Sequence, residues 1–178
     1  MSKKSNRARK FNSIMHYVNE SWAARVLGMQ VNPQQGIDLL GKKADVETKF
    51  CMQIPGSYVH MSWRVLEYQM KYKRVSAQAG KPALWGLAKY WLSVPVQEIR
   101  TQNQEELESL VSRRELYLVP WGWMNQFPAY HQSGKTQMSE WNHKIRFPKA
   151  RLLPEIQRTY KVEKGLVHLT TGVNPSYF

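Results

Sequence analysis

The spacing of apolar residues in the first part of the chain predicts a helix followed by a strand hairpin. Apolar side chains recur every three or four residues from Phe11 to Leu27, and Gly28 follows as a stop signal. Two short apolar runs, at 37–40 and 44–51, have the length of strands. The turn residues Gly41-Lys42-Lys43 separate these runs, so we expect the two strands to pair.

The rest of the pattern alternates between helix-like and strand-like segments. Helical spacing returns at 59–79, and a continuous apolar run at 84–94 favours a buried strand. A helix is predicted at 103–114 with Asn103 as its N-cap, and a strand at 116–123. This order indicates an α/β (α+β) fold, in which helices flank a mixed sheet.

The charge of the chain is strongly basic. It carries 26 Lys and Arg against 13 Asp and Glu, a net charge of +13 over 178 residues. We divide it into a flexible basic arm (1–10), a core domain (11–135) and a basic, aromatic-rich C-terminal extension packed on that core (136–178). The charge favours a polyanionic partner, with a merely solubilising charge as the alternative.

Several classes of protein are disfavoured by the sequence. It has no run near the roughly 18–20 apolar residues of a membrane span. Its basic start lacks the apolar segment of a secretory signal, so we expect an intracellular protein that is not secreted. Cys51 is the only cysteine, which excludes an internal disulfide and a Cys-rich zinc site. The chain has no GxxxxGK[ST] loop, so we expect no nucleotide cofactor.

Charged residues occupy the hairpin where a half-buried strand normally has apolar side chains. Because side chains alternate along a strand, Asp45, Glu47 and Lys49 share one face. A four-residue loop pairs Leu40 with Asp45 and therefore Asp38 with Glu47. Opposed residues have Cβ atoms about 4.5–5.5 Å apart, and two carboxylates this close repel each other. A divalent cation between them removes the conflict.

Mg²⁺ suits this set because it prefers oxygen ligands, keeps several waters and needs only one or two carboxylates. A metal-bound water with a lowered pKa can attack a phosphodiester. Lys49 could orient or deprotonate that water, or stabilise charge on the phosphate. The alternative interpretation is a surface hairpin whose charged face protects a sheet edge from aggregation.

The residues of this hairpin are similar to a known family motif. Asp38, followed by Glu47-Thr48-Lys49, resembles the D…(D/E)xK pattern of the PD-(D/E)XK, or restriction-endonuclease-like, nuclease superfamily. The layout is nearest to Holliday-junction resolvases and to homing or restriction endonucleases. The sequence departs from the pattern at Ile37, where a proline often stands.

The resemblance implies a restriction-endonuclease-like core and a Mg²⁺-dependent DNA endonuclease, with Mn²⁺ as a substitute metal. Asp38 and Glu47 would be the metal ligands and Lys49 a catalytic residue. Glu20 on the first helix would be an auxiliary acid, and Gln69 a further polar residue near the phosphate. The implied partner is double-stranded or branched DNA, and the implied assembly is a homodimer whose two-fold symmetry matches two cuts.

Basic residues outside the motif are candidates for contacts with DNA phosphates. These candidates are Lys42, Lys43, Lys71, Lys73, Arg74, Lys144 and Arg146. Phosphate contacts position a protein on DNA without reading its sequence. The alternative interpretation of each residue is an ordinary, solvated surface charge. The alternative for the whole chain is a non-catalytic nucleic-acid-binding protein with a degenerate nuclease fold.

Overall fold

The structure, a computed structural model, belongs to the α+β class and is built on a mixed sheet of seven strands. The predicted class and the mixed sheet are therefore confirmed, while the restriction-endonuclease-like core stays a prediction. The structure describes residues 3–34, 36–53, 62–66, 80–95, 98–99, 103–127, 130–131, 143–148 and 151–178.

The first helix, α1 (Lys3–Leu27), is longer than the apolar spacing predicts. Residues 3–10, expected to be a separate flexible arm, form its first turns. The arm's charges interrupt the apolar spacing but not the helix, because Lys and Arg are good helix formers. The helix ends at Gly28, which has a φ of +64°. That left-handed backbone is favoured by glycine, and it lets the Met29 N–H donate to the Ala24 carbonyl at 2.9 Å.

The second helix, α2 (Gln104–Ser109), begins as predicted and ends earlier. The Asn103 side chain accepts a hydrogen bond from the Glu105 N–H, which confirms the N-cap. The prediction is wrong for residues 111–114, because they pair with a neighbouring strand in the sheet. Among the described residues, no helix is both long and apolar enough to cross a membrane.

Ten strands are described, seven of them in the larger sheet. That sheet has the order β1-β2-β3-β5-β6-β10-β9, and β4-β8-β7 form a second sheet. In the larger sheet β3 and β5 run parallel, as do β6 and β10, and the other neighbours are antiparallel. The strands are β1 (Gln30–Val31), β2 (Leu39–Leu40), β3 (Asp45–Gln53), β4 (Ser62–Leu66), β5 (Ala83–Leu92), β6 (Val111–Pro120), β7 (Tyr130–His131), β8 (His143–Pro148), β9 (Ile156–Val162) and β10 (Gly165–Thr170).

Three segments differ from the expectations. The helix predicted at 59–79 is wrong for Ser62–Leu66, which forms β4 and pairs antiparallel with β8. The other residues of that helix lie outside the described part of the chain. The strand predicted at 116–123 ends at Pro120 and gives way to a 3-10 helix, Trp121–Gln126. The C-terminal extension supplies β9 and β10 to the larger sheet.

The larger sheet has an apolar cluster on each face. On one face α1 packs through Met15, Val18 and Trp22 against a cluster that includes Val46. On the opposite face Trp85 and other residues form a second cluster with Trp121, Met124 and Leu152. Alternation along β3 therefore turns even-numbered side chains toward α1 and odd-numbered ones, including Glu47 and Lys49, away from it.

Tyr90 is expected to make the fold less stable at alkaline pH. Its side chain is fully buried, and its hydroxyl donates to Asn19 Oδ1 at 3.0 Å. Burial raises the pKa of Tyr90 far above its usual value, and the Arg114 guanidinium offsets only part of this rise. An unfolded chain releases the tyrosine proton at about pH 10, while the native chain keeps it. The contribution of Tyr90 to the free energy of unfolding is therefore complete below that pH. Above it, the free energy of unfolding falls by about 1.4 kcal/mol per pH unit.

Urea unfolding at about pH 8 and at about pH 11 tests this expectation. We expect Tyr90→Phe to be less stable than the parent at the lower pH, because it loses the hydrogen bond to Asn19. Its free energy of unfolding should fall less than that of the parent between the two pH values. Parallel changes in the two proteins would contradict the role of Tyr90.

Candidate active site

The hairpin formed by β2 and β3 has the register that its loop length predicts. Leu40 pairs with Asp45, and Leu39 pairs with Val46. The loop between the paired residues is therefore the predicted four residues long. This register places β2 beside the start of β3, the part of the strand that carries Glu47.

The loop of the hairpin is held by one hydrogen bond within it and by one from Lys81 outside it. The Gly41 N–H donates to Asp45 Oδ1 at 3.1 Å, and Lys81 Nζ donates to the Gly41 carbonyl at 2.6 Å. A Cβ at position 41 would come within 2.3 Å of the Ala44 carbonyl oxygen, so glycine is required there. Asp45 is fully buried, and its carboxylate stabilises the turn.

Asp38 precedes the paired residues of β2, and its carboxylate contacts β3. Oδ2 accepts the Thr48 backbone N–H at 2.8 Å and the Thr48 hydroxyl at 2.9 Å. The β2–β3 ladder ends at the pair of Leu39 with Val46, so it does not include the expected pairing of Asp38 with Glu47. The side chain instead takes an N–H group of the strand. Since the Thr48 nitrogen is bonded directly to the Glu47 carbonyl carbon, the Asp38 carboxylate lies beside the Glu47 backbone.

Glu47 and Lys49 form the ion pair of the site. Lys49 Nζ lies 2.6 Å from Glu47 Oε1, and it also donates to the Thr48 carbonyl at 3.0 Å. The Glu47 side chain is completely buried and that of Lys49 is 15% exposed. A buried carboxylate is costly unless it is paired and hydrogen-bonded. Lys49 provides that pairing, and its side chain is partly accessible to solvent.

Glu20 is carried by α1, which packs on the other face of the sheet from Glu47 and Lys49. The fold therefore does not place Glu20 on the face that carries the ion pair. The proposed role of Glu20 as an auxiliary acid stays a prediction.

The predicted phosphate contacts differ in how far the structure describes them. Lys42 and Lys43 are exposed in the hairpin loop, and Lys43 Nζ donates to the Ser176 carbonyl at 2.8 Å. Two of the others lie on β8, at backbone positions opposite Leu66 and Arg64: Lys144 and Arg146. The rest lie outside the described residues: Gln69, Lys71, Lys73 and Arg74.

The sequence analysis missed a second polar group on the Glu47 face. The Tyr117 hydroxyl donates to Glu115 Oε2 at 2.5 Å, and Arg113 lies 2.6 Å from Glu115 Oε1. Burial raises the pKa of Tyr117, and the hydrogen bond to Glu115 adds to the rise. Placing residues 111–114 in a helix concealed this group, which the alternation of Arg113, Glu115 and Tyr117 could have shown.

Comparison with known proteins found no matching protein-family model, no matching curated protein and no matching solved structure. In the described part of the chain, no group of three or more His, Cys, Asp or Glu residues is arranged to hold a metal ion. A magnesium site built on two carboxylates and water is smaller than such a group. The residues of the hairpin are therefore the basis for assigning a function.

Proposed function

We propose that the protein is a Mg²⁺-dependent endodeoxyribonuclease of the restriction, homing or junction-resolving type. The observation that supports it best is the geometry of the hairpin. Lys49 Nζ lies 2.6 Å from the buried Glu47 carboxylate, and Asp38 contacts the adjoining residue, Thr48. Two carboxylates, one just before β2 and one on β3, and a lysine beside the second are groups that can serve metal-dependent phosphodiester hydrolysis.

The donor set of the hairpin fits a hard divalent cation. Asp38 and Glu47 together carry two negative charges against the single positive charge of Lys49, so an added cation is electrostatically favoured. Their oxygen donors match the preference of Mg²⁺, and Mn²⁺ accepts the same ligands. When bound, such an ion supplies a Lewis acid and a water of lowered pKa.

The protein's own residues would act around that ion. Thr48 fixes the Asp38 carboxylate through two hydrogen bonds, and Glu47 fixes the Lys49 ammonium group. Lys49 is the residue placed to stabilise negative charge on the attacked phosphate or to orient the attacking water. The excess of 13 positive charges attracts double-stranded or branched DNA. A homodimer would bring two such sites to the two strands of a duplex.

A non-catalytic nucleic-acid-binding protein is the second candidate. It is favoured by the contacts of Asp38, whose Oδ2 accepts two hydrogen bonds from Thr48. A carboxylate used in this way extends the bonding of β3 beyond the end of β2 and needs no metal. This candidate retains the basic charge and predicts DNA binding that is indifferent to EDTA.

Cleavage assays with and without Mg²⁺ separate the two candidates. We expect the purified protein to nick or cut plasmid or four-way-junction DNA with Mg²⁺ and to leave both intact in EDTA. Thermal melting in a Mg²⁺ titration should show a rising melting temperature, because an ion that binds only the native state stabilises it. Salt-sensitive binding without cleavage, at a melting temperature that Mg²⁺ does not change, would contradict the nuclease proposal.

A further inference from the structure

Strand β9 ends the larger sheet, with β10 as its one neighbour among the described strands. All five residues from 157 to 161 are exposed. An edge strand presents a row of outward N–H and C=O groups and invites pairing with another chain unless its side chains prevent it. The side chains of β9 therefore decide which partner this edge can accept.

The charged residues of β9 are both cations, Arg158 and Lys161. An acid adjoins the strand at each end: Glu155 precedes it, and Glu163, which follows it, is bound by Arg25 at 3.1 Å. Two copies of the chain pairing along this strand would bring four cations into one short ribbon, and like charges across a strand pair are destabilising. The edge therefore disfavours a second copy and is complementary to a polyanion.

The two cations lie on opposite faces of the sheet. Arg158 is opposite Leu169, whose side chain belongs to the apolar cluster beneath α1. Lys161 is three residues further along and so turns to the other face, the one that carries Glu47 and Lys49. Tyr160, on the Arg158 face, is 43% exposed. A strand of phosphates passing along the edge could be contacted from both sides.

The register of the sheet gives the distance between this edge and the candidate active site. One transverse row starts at Lys161 and passes through Leu166, Glu115 and Lys89 to Cys51. Cys51 follows Lys49 by two residues on the same face. Four interstrand spacings of about 4.8 Å separate β9 from β3, or roughly 19 Å.

We propose that the β9 edge binds the phosphate backbone of duplex DNA through Arg158 and Lys161, at the opposite end of the larger sheet from the hairpin. The identity of the polyanion rests on the proposed nuclease function. The edge carries two cations and outward backbone groups, which fix position and affinity without reading bases. It would extend the DNA surface from the hairpin to the opposite end of the sheet.

Binding measurements in EDTA test the edge independently of cleavage. The probe is a fluorescent 20-base-pair DNA duplex, titrated at several salt concentrations with the parent and with the double variant Arg158→Gln/Lys161→Gln. Removing two phosphate contacts should lower the slope of log K against log salt by about 1.8 and weaken binding roughly 50-fold near 0.1 M salt. The matched control, Arg158→Lys/Lys161→Arg, keeps both charges and should bind like the parent.

The outcomes distinguish this proposal from the proposed function. An unchanged salt slope in the neutral variant would overturn the β9 proposal even if the parent cuts DNA. An equal loss in the charge-retaining control would also overturn it, because the loss would then come from packing. Tighter binding to an RNA duplex of the same length would overturn the choice of DNA. A parent that binds with the expected slopes but never cleaves would contradict the nuclease function and support the edge as a DNA-binding surface.

Discussion

Replacing Lys49 with methionine is expected to lower the rate of Mg²⁺-dependent DNA cleavage about 1,000-fold. The ammonium group lies 2.6 Å from the buried Glu47 carboxylate. Methionine keeps the length of the side chain and removes its charge, so the phosphate loses electrostatic stabilisation in the transition state. The rate should be measured in single turnover at saturating DNA, which separates chemistry from binding.

Lys89→Met is the matched control for Lys49→Met. Lys89 lies on β5, the strand beside β3, on the same face, and it is only 7% exposed. The control therefore removes another largely buried lysine without touching the motif, and we expect cleavage close to the parent rate. Equal losses in both variants would indicate a general effect on folding. A Lys49→Met variant that cuts as fast as the parent would refute the assignment of the site.

Glu47→Gln extends the same test to the metal. It keeps the shape of the side chain and removes its charge, so it should lose both cleavage and any Mg²⁺-dependent rise in melting temperature. A variant that retains the metal-dependent rise would show that Glu47 is not a ligand.

The hairpin could be predicted because its determinants are local in sequence. The turn Gly41-Lys42-Lys43 separates two short runs, and the loop length fixes the pairing of Leu40 with Asp45. Alternation then places Glu47 and Lys49 on one face, which their 2.6 Å contact confirms. What alternation could not give is the hydrogen bonding of Asp38, because its preference for Thr48 depends on where the β2 ladder ends.

The strands that were missed depend on partners far away in the sequence. Residues 62–66 fit a helical spacing, yet they pair with β8 about eighty residues later. Strand β10 inserts between β6 and β9 and runs parallel to β6, so no local turn signals its place in the sheet. Which face of the sheet α1 covers also depends on contacts that are distant in sequence, and this decides whether Glu20 can approach Glu47. The local pattern therefore misassigned or missed these strands, because distant pairing partners and not their own spacing decide their structure.

Glu108→Gln is expected to lower the free energy of unfolding by about 3 kcal/mol, because it leaves a buried cation without its carboxylate partner. Arg114 is fully buried, and its guanidinium lies 2.8 Å from Glu108 and over the rings of Trp22 and Tyr90. This residue joins α2 to β6 beneath α1, so the substitution would leave an unpaired charge at the centre of the larger apolar cluster. Urea unfolding monitored by circular dichroism measures the change.

Glu105→Gln provides the control, since Glu105 is exposed on the same helix and should contribute less than about 1 kcal/mol through the helix dipole. The double variant Glu108→Gln/Arg114→Met should be less destabilised than the sum of its single variants, because no buried charge is left unpaired. Strict additivity, or a Glu108→Gln variant as stable as the control, would show that Arg114 does not depend on this carboxylate. The expected coupling would instead mean that the ion pair fixes α2 against the larger sheet. The packing on the face opposite Glu47 and Lys49 would then stabilise the sheet that contains the hairpin.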